Sequence, residues 1–197
     1  MSDENSEGAP DAGPSPWGQR ADEKLILVNE GDEAVGTATR AECHAGDGLL
    51  HRAFSVYLFD ELGRLMIHRR HESKPLWPGF WSNSCCSHPR HGEDVLEAAR
   101  RRTKEELGLE VELVPIHRYA YRAKYGEVGS EYELVHVFVG LCDPDQIDPD
   151  PEEIADLRLF DEGAMDDAIG EETIFTPWFR MAWPVVRERW RRALALD

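Results

Sequence analysis

The chain has no apolar run approaching the roughly 18 residues that a membrane-crossing helix needs, and its first twenty residues hold neither a basic start nor an apolar stretch. A membrane-embedded protein and a secretory leader are therefore not expected. Cysteine is sparse: Cys43, Cys85, Cys86 and Cys142 are the four present. Two of them are adjacent, where only a strained vicinal bridge would form, so a disulfide framework is set aside and a reduced, cytoplasmic setting is expected. Positive charge is scarce too. Lys and Arg total 22 against 39 Asp and Glu, a formal net charge of -17; bare nucleic acid and anionic membrane faces would be repelled. No internal repeat is visible, which leaves a single domain as the expectation.

Hydrophobic residues make up 41% of the 197, enough to close the core of one α/β domain, and the carboxylates are spread through the chain instead of gathered in a tail. That pattern disfavours a disordered acidic protein. It resembles the acidic surfaces of extreme halophiles, with an ordinary acidic cytosolic protein as the alternative. Residues 1–23, rich in Ser, Gly, Pro and acids, are expected to be a disordered tail, and residues 24–197 the folded domain.

Hydrophobic alternation and turn residues predict a hairpin from Lys24 to Thr39, a strong strand from His51 to Phe59 and, after the turn Asp60-Glu61-Leu62-Gly63, a paired strand from Arg64 to Arg70. A proline-marked loop spans Lys74 to Pro89. Glu93 to Leu107 has helical spacing with Gly108 as its stop, Val111 to Tyr125 and Glu131 to Leu141 read as long strands, and Arg158 to Phe160 as a short one before a small acidic helix from Ala164 to Ile169. Thr176-Pro177 opens a C-terminal helix. Pro184 lies inside it, so a kink or two short helices are expected between Trp178 and Leu196.

Three groups of residues carry chemistry. Cys86 and His88 are separated by one residue, which in an extended stretch puts both side chains on one side. A thiol beside a cation can give and take a proton, while the plain alternative is two packed cysteines and a solvent histidine. Glu131 and Glu133 share a strand face in the same way, and two facing acids repel unless a cation holds them. With His44, His51 and His88 they offer a nitrogen and oxygen site of more than four ligands, suited to Mn²⁺, Mg²⁺ or a high-coordinate Zn²⁺. Glu105 and Glu106 stand against the macrodipole at a helix C-terminus, which points to a nearby cation. Arg69-Arg70, Lys74 and Arg100-Arg101-Arg102 stand out in so acidic a chain and, with Arg40 as a further donor and a carboxylate-held Mg²⁺, could bind a diphosphate, solvated surface charge being the plain alternative. The remaining histidines are assigned surface or core roles.

In these residues the chain resembles the type I isopentenyl-diphosphate isomerases, a branch of the Nudix-like fold, from about Lys24 to Arg192. The specific pieces are Asn83-Ser84-Cys85-Cys86-Ser87-His88-Pro89, Arg101 to Gly108, Glu131-Tyr132-Glu133 and Thr176-Pro177-Trp178. Against the hydrolase form of the Nudix box, Glu93, Arg101, Glu105, Glu106 and Gly108 fit, whereas Ser87 replaces a Gly and Arg102 a Glu. A Nudix diphosphate hydrolase is the weaker alternative, and a non-catalytic metal-binding module a second. The resemblance implies an α/β (α+β) single domain with a mixed sheet sandwiched between helices. It implies reversible conversion of isopentenyl diphosphate to dimethylallyl diphosphate through a tertiary carbocation. Cys86 and Glu133 would be the proton-transfer groups, Tyr121 their assistant and Trp178 the partner of the cation, while Cys85 would pack only. His44, His51, His88, Glu131 and Glu133 would hold one divalent ion (Mn²⁺, Mg²⁺ or Zn²⁺). Glu106 would hold a Mg²⁺ shared with the diphosphate, which Arg70, Lys74 and Arg102 would contact, with Arg40 standing where a lysine is common. A small-molecule prenyl diphosphate is the implied partner, with no nucleic acid and no membrane, and the C-terminal helix and the loop near Trp77 are candidates for a lid and wall.

Overall fold

The computed structural model describes residues 17, 20–170 and 174–196. The expected hairpin opens it: β1 (Lys24–Val28) and β2 (Ala34–Thr39) are antiparallel, and Asn29 Oδ1 holds their turn by accepting from the N–H groups of Gly31 and Glu33. Thr39 then starts a short helix that the sequence pattern did not announce, α1 (Arg40–His44), through a reciprocal capping box with Glu42. The strands β3 (His51–Phe59) and β4 (Leu65–Arg70) pair as expected. In their turn Asp60 Oδ1 accepts from the N–H groups of Leu62 and Arg64, and Gly63 takes φ 77°, a left-handed conformation that costs glycine nothing.

The proline-marked loop contains two short strands, β5 (Trp81–Ser82) and β6 (Cys85–Ser87). Neither is long enough to show an alternation in sequence. The helix α2 (Val95–Leu107) is capped by Asp94, whose carboxylate accepts from the N–H groups of Leu96 and Glu97, and is stopped by Gly108 at φ 72°. There follow β7 (Val114–Tyr125), β8 (Gly129–Leu141), β9 (Ile154–Phe160), α3 (Glu162–Ile169) and α4 (Pro177–Ala193). The last is one helix, not two. Pro184 faces solvent on its exposed side, so the missing N–H removes no buried partner, and Trp178, Phe179, Ala182, Trp183, Val186 and Trp190 keep an unbroken apolar stripe.

The nine strands form one mixed sheet around β3, which pairs with β1, β4, β6 and β8. Its pairing with β8 is parallel, in register from His51 opposite Glu133 to Phe59 opposite Leu141, so a crossover is required, and α2 lies within it. Alternation along β3 and β8 then sorts side chains to two faces. Ala53, Tyr57, Phe59, Val135, Val137 and Val139 pack with the stripe of α4. Phe54, Val56, Leu58 and Phe138 pack with Ala98, Ala99 and Leu107 of α2. Among the described residues no helix is long and apolar enough to cross a membrane.

Candidate active site

The two-residue period that builds the core also builds the site. On the α4 side of β3 and β8 the apolar positions give way toward one end to His51 and, directly opposite, Glu133, with Glu131 two residues before it. β6 lies against the other side of β3, Ser55 opposite Cys86 and Val56 opposite Cys85. Neighbouring cysteines therefore part company: Cys85 is fully buried in the α2 core, while Cys86 packs toward the α4 side. Cys86, His88, Tyr121, Glu131, Glu133 and Trp178 line one cavity of about 680 Å³. Arg40, Arg70, Lys74 and Arg102 line it as well.

The imidazoles and carboxylates converge tightly. One ligand atom from each of His44, His51, His88, Glu131 and Glu133 lies within 4.8 Å of all the others. His44 Nδ1 and His51 Nδ1 each sit 2.7 Å from a backbone carbonyl, of Arg40 and Leu49. Only an N–H can bond to a carbonyl, so Nδ1 carries a proton in both rings and each Nε2 points inward, where a neutral ring would offer its lone pair to a metal ion. His88 is different. Arg40 Nη1 donates to its Nδ1 at 3.1 Å, which leaves the proton on Nε2, where it faces Glu133 Oε1 at 2.7 Å. Glu131 Oε2 lies 2.9 Å from His44 Nε2 without a hydrogen-bond donor in proper geometry, a buried carboxylate oxygen lacking a partner. Five inward donor atoms, one of them orphaned, fit a divalent cation with mixed nitrogen and oxygen ligands.

Burial dominates the electrostatics. It pushes the Cys86 thiol up to about 12, against the pull of Arg70, so the thiol keeps its proton at neutral pH. Burial and then the adjacent Glu131 push Glu133 well above the usual carboxylate range, although Tyr121 donates to its Oε2 at 2.8 Å. Glu131 is also penalised by burial, but His44 outweighs that and holds it down at about 2. Burial lowers His51 to about 3.

The four cations are all engaged. Arg40 bonds Glu23 at 2.7 Å as well as His88. Arg70 donates to the carbonyls of Leu76 and Trp77, with its guanidinium 5.3 Å from the centre of the Trp178 ring. Lys74 and Arg102 both reach Glu153, and Arg20 joins them at 3.1 Å. Arg102 also binds Glu105 at 2.9 Å and the buried Glu106. The cations offsetting the acidic end of α2 are thus its own Arg101 and Arg102.

Several neighbours escaped the sequence reading. Glu153 lies in an acidic run, Asp148 to Glu153, in which nothing distinguishes it from its surface neighbours. Ser82 and Asn83 are buried beneath Trp178. Of the expected tail, residues 1–16, 18 and 19 lie outside the described residues, but the Trp17 ring sits 4.8 Å from that of His44 and lines the cavity with Arg20. The two elements expected to enclose the site meet, with the rings of Trp77 and Trp178 edge to face at 5.4 Å.

A mixed sheet between helices, with this cavity at the end of its central strands, defines the Nudix class, and the NUDIX domain model matches residues 49–179. Solved structures agree on the fold. A Deinococcus radiodurans protein superposes with a TM-score of 0.68 at 23% identity, covering 82% of this chain and 98% of that one. A MutT protein from Methanosarcina mazei gives 0.58 at 17%, covering 71% and 94%. Sequence relatives narrow the class. Proteins named isopentenyl-diphosphate Delta-isomerase from Photorhabdus laumondii (37% identical, 82% of this chain and 93% of the relative), Halorhodospira halophila (41%, 80% and 91%) and Burkholderia multivorans (39%, 86% and 98%) align over most of its length. The chain belongs to the isopentenyl-diphosphate isomerase family.

Proposed function

We infer that the protein interconverts isopentenyl diphosphate and dimethylallyl diphosphate, moving a double bond by adding a proton at one carbon and removing another elsewhere. The observation that carries the reading is the meeting of a protonated thiol, a Tyr-bonded glutamate and an indole face in one cavity that is also lined by Arg20, Arg40, Arg70, Lys74 and Arg102. Membership of the Nudix class does not by itself favour hydrolysis. The box has Arg102 where hydrolysis would use a carboxylate, and that guanidinium is buried against Glu106.

Cys86 and Glu133 are the two proton-transfer groups. They come from different strands, β6 and β8, so they approach the five-carbon unit from separate directions, as two-sided proton exchange requires. Because the reaction is reversible, each group gives in one direction and takes in the other. Tyr121 holds Glu133 through its hydroxyl and relays its proton. Trp178 offers a π-face to the tertiary cation without a lone pair that would trap it. Arg70, Lys74, Arg102 and Arg40 bind the diphosphate, which exchanges with Glu153 and Glu23 for their N–H groups. His44, His51, His88, Glu131 and Glu133 would hold one divalent ion, which when bound supplies the positive charge that lets two adjacent carboxylates remain ionised. Glu106 would hold a Mg²⁺ at the diphosphate. The wall of Trp77 and Trp178 keeps water from the cation. Free thiols accord with a cytoplasmic location, and the acidic surface with a high-salt setting.

The test is incubation with isopentenyl diphosphate and Mg²⁺ in heavy water, followed by NMR. Migration of the double bond with deuterium incorporation is expected. Phosphate release without migration would make the protein a hydrolase, and metal-dependent folding without turnover a structural module.

A further inference from the structure

Beneath Trp178 lies a polar group that nothing in the proton-transfer chemistry uses. The indole Nε1–H donates to Ser82 Oγ at 2.9 Å and to Asn83 Oδ1 at 3.2 Å. Ser82 Oγ in turn donates to Asn83 Oδ1 at 3.0 Å and lies 3.0 Å from Thr176 Oγ1. With the Ser82 proton already committed, Thr176 must be the donor in that last contact. Ser82, Asn83 and Thr176 are wholly buried.

The Asn83 amide has only one workable orientation. Its Nδ2 donates to the carbonyls of Val56 at 3.1 Å and Cys85 at 2.6 Å. Turning it over would set Oδ1 against two carbonyl oxygens and the NH₂ against the indole N–H. The acceptor beneath the indole is therefore fixed by β3 and by the residue immediately before Cys86. A buried polar group of this kind is costly to maintain, and a smaller apolar residue would fill the space without desolvating anything. A function beyond packing accounts for it.

We propose that Ser82 and Asn83 are positioning residues that fix the plane of the Trp178 indole over the reacting carbons and tie it to the strand that carries Cys86. Trp178 is only the second residue of α4, just after the loop joining that helix to α3. Without the tether, its ring would be set by its contacts to Trp77 and Tyr121 and by the Arg70 guanidinium over its face, which tolerate tilting. With it, the face that meets the cation and the thiol that exchanges the proton share one rigid support.

This inference rests on the isomerase reading of the cavity, and its test separates the two. Of the six indole N–H signals in a ¹⁵N-labelled sample, that of Trp178 is identified by its loss in Trp178→Phe. Ser82→Ala is expected to move this signal upfield and to lower kcat roughly tenfold with KM little changed. In the Trp178→Phe background, which has no N–H to hold, the same substitution is expected to change nothing further. An unmoved indole signal overturns the proposal. So does an unaltered kcat beside a moved signal, or an equal loss of kcat in the Trp178→Phe background. If Ser82→Ala does not fold, Ser82→Cys, which keeps a weaker acceptor in the same place, is read in the same way. No double-bond migration by the unsubstituted protein, with the indole shift intact, would instead sink the isomerase reading and leave the tether as a structural bond.

Discussion

Alternate residues of β3 and β8 build two faces from the same backbone, and the two are used very differently. The α2 face is closed over most of its area: Val56, Leu58 and Phe138 meet Ala98, Ala99 and Leu107 with Cys85 among them, and Phe54 at its end reaches the cavity wall. The α4 face is just as apolar along most of its length, but at one end it opens into the cavity, where Glu131 and Glu133 replace the aliphatic side chains, with His51 fully buried beside them. A sheet with helices on both sides can carry titratable groups only where one helix stops covering it, because elsewhere each charge would be buried without solvent or a partner. Cys85 and Cys86 compress this lesson into two residues. The same kind of side chain is core packing on one face and lines the cavity on the other.

The sharpest way to break the comparison is to change matched residues on the two faces. Cys86→Ala and Glu133→Gln are each expected to lower kcat by about a thousandfold or more, given the usual weight of a proton-transfer group, while Cys85→Ala keeps most of the activity. Steady-state rates with isopentenyl diphosphate check this, and circular dichroism checks folding. Comparable losses in all three variants would mean that the two faces do not divide labour.

The converse substitution is Phe138→Ala, on the closed face, where the ring is 2% exposed. A truncated core aromatic should cost about 3–5 kcal/mol of stability, visible as a lower urea midpoint, with kcat of the folded protein preserved. If activity fell in proportion to stability instead, the α2 face would be part of the site.

Much of this division was legible in the sequence, and the reason is periodicity. Strands β3 and β8 are buried along nearly their whole length and read as strands, and the two-residue spacing puts Glu131 and Glu133 on one shared side, as it does Cys86 and His88. The helix α2 announced itself by its apolar spacing and by Gly108. What stayed hidden is what depends on long-range partners. β5 and β6 are two and three residues long and exist only because β4 and β3 pair with them. Pro184 looked like a break because sequence does not say which side of a helix faces water. Glu153 gains its meaning from Lys74, 79 positions earlier, and from Arg102, 51 positions earlier. Ser82 and Asn83 gain theirs from a tryptophan 96 and 95 positions later.

Within the open face, Arg40 offers a test of the proposed metal site. Its donation to His88 Nδ1 keeps the proton on Nε2, yet ligation through Nε2 would require that proton to move to Nδ1, leaving Arg40 facing an N–H. Arg40 and an ion held in the proposed site would therefore compete for one ring. Arg40→Ala is expected to tighten Mn²⁺ binding in the absence of substrate by about tenfold, equivalent to about 1.4 kcal/mol, in titration calorimetry, while raising KM for the diphosphate. Mn²⁺ affinity equal to that of the unsubstituted protein would show that the Arg40 contact yields at no cost.

The smallest expected effect lies on neither buried face. Asp32, in the turn between β1 and β2, gathers Arg52 of β3 at 2.7 Å, Arg118 of β7 at 3.0 Å and His136 of β8 at 2.9 Å, pinning the hairpin to three strands. Burial raises the Asp32 carboxyl, but the Arg52 hydrogen bond and the His136 charge outweigh it, and its pKa falls below the ordinary carboxylate value. A carboxyl lowered in the folded state contributes stability that is present above its unfolded value, about 3.9, and is lost as pH falls through the lower folded value. Asp32→Asn should therefore cost roughly 1 kcal/mol near neutral pH, in line with partly exposed ion pairs. The gap between the two proteins should close in unfolding curves taken below about pH 4, where the wild-type carboxyl takes up its proton. High salt should narrow the gap at neutral pH as well, since Arg118 is half-open to solvent, whereas the Phe138→Ala loss should persist in salt because no charge is involved. A gap that widened toward acid would place the network's stability in His136 instead of Asp32.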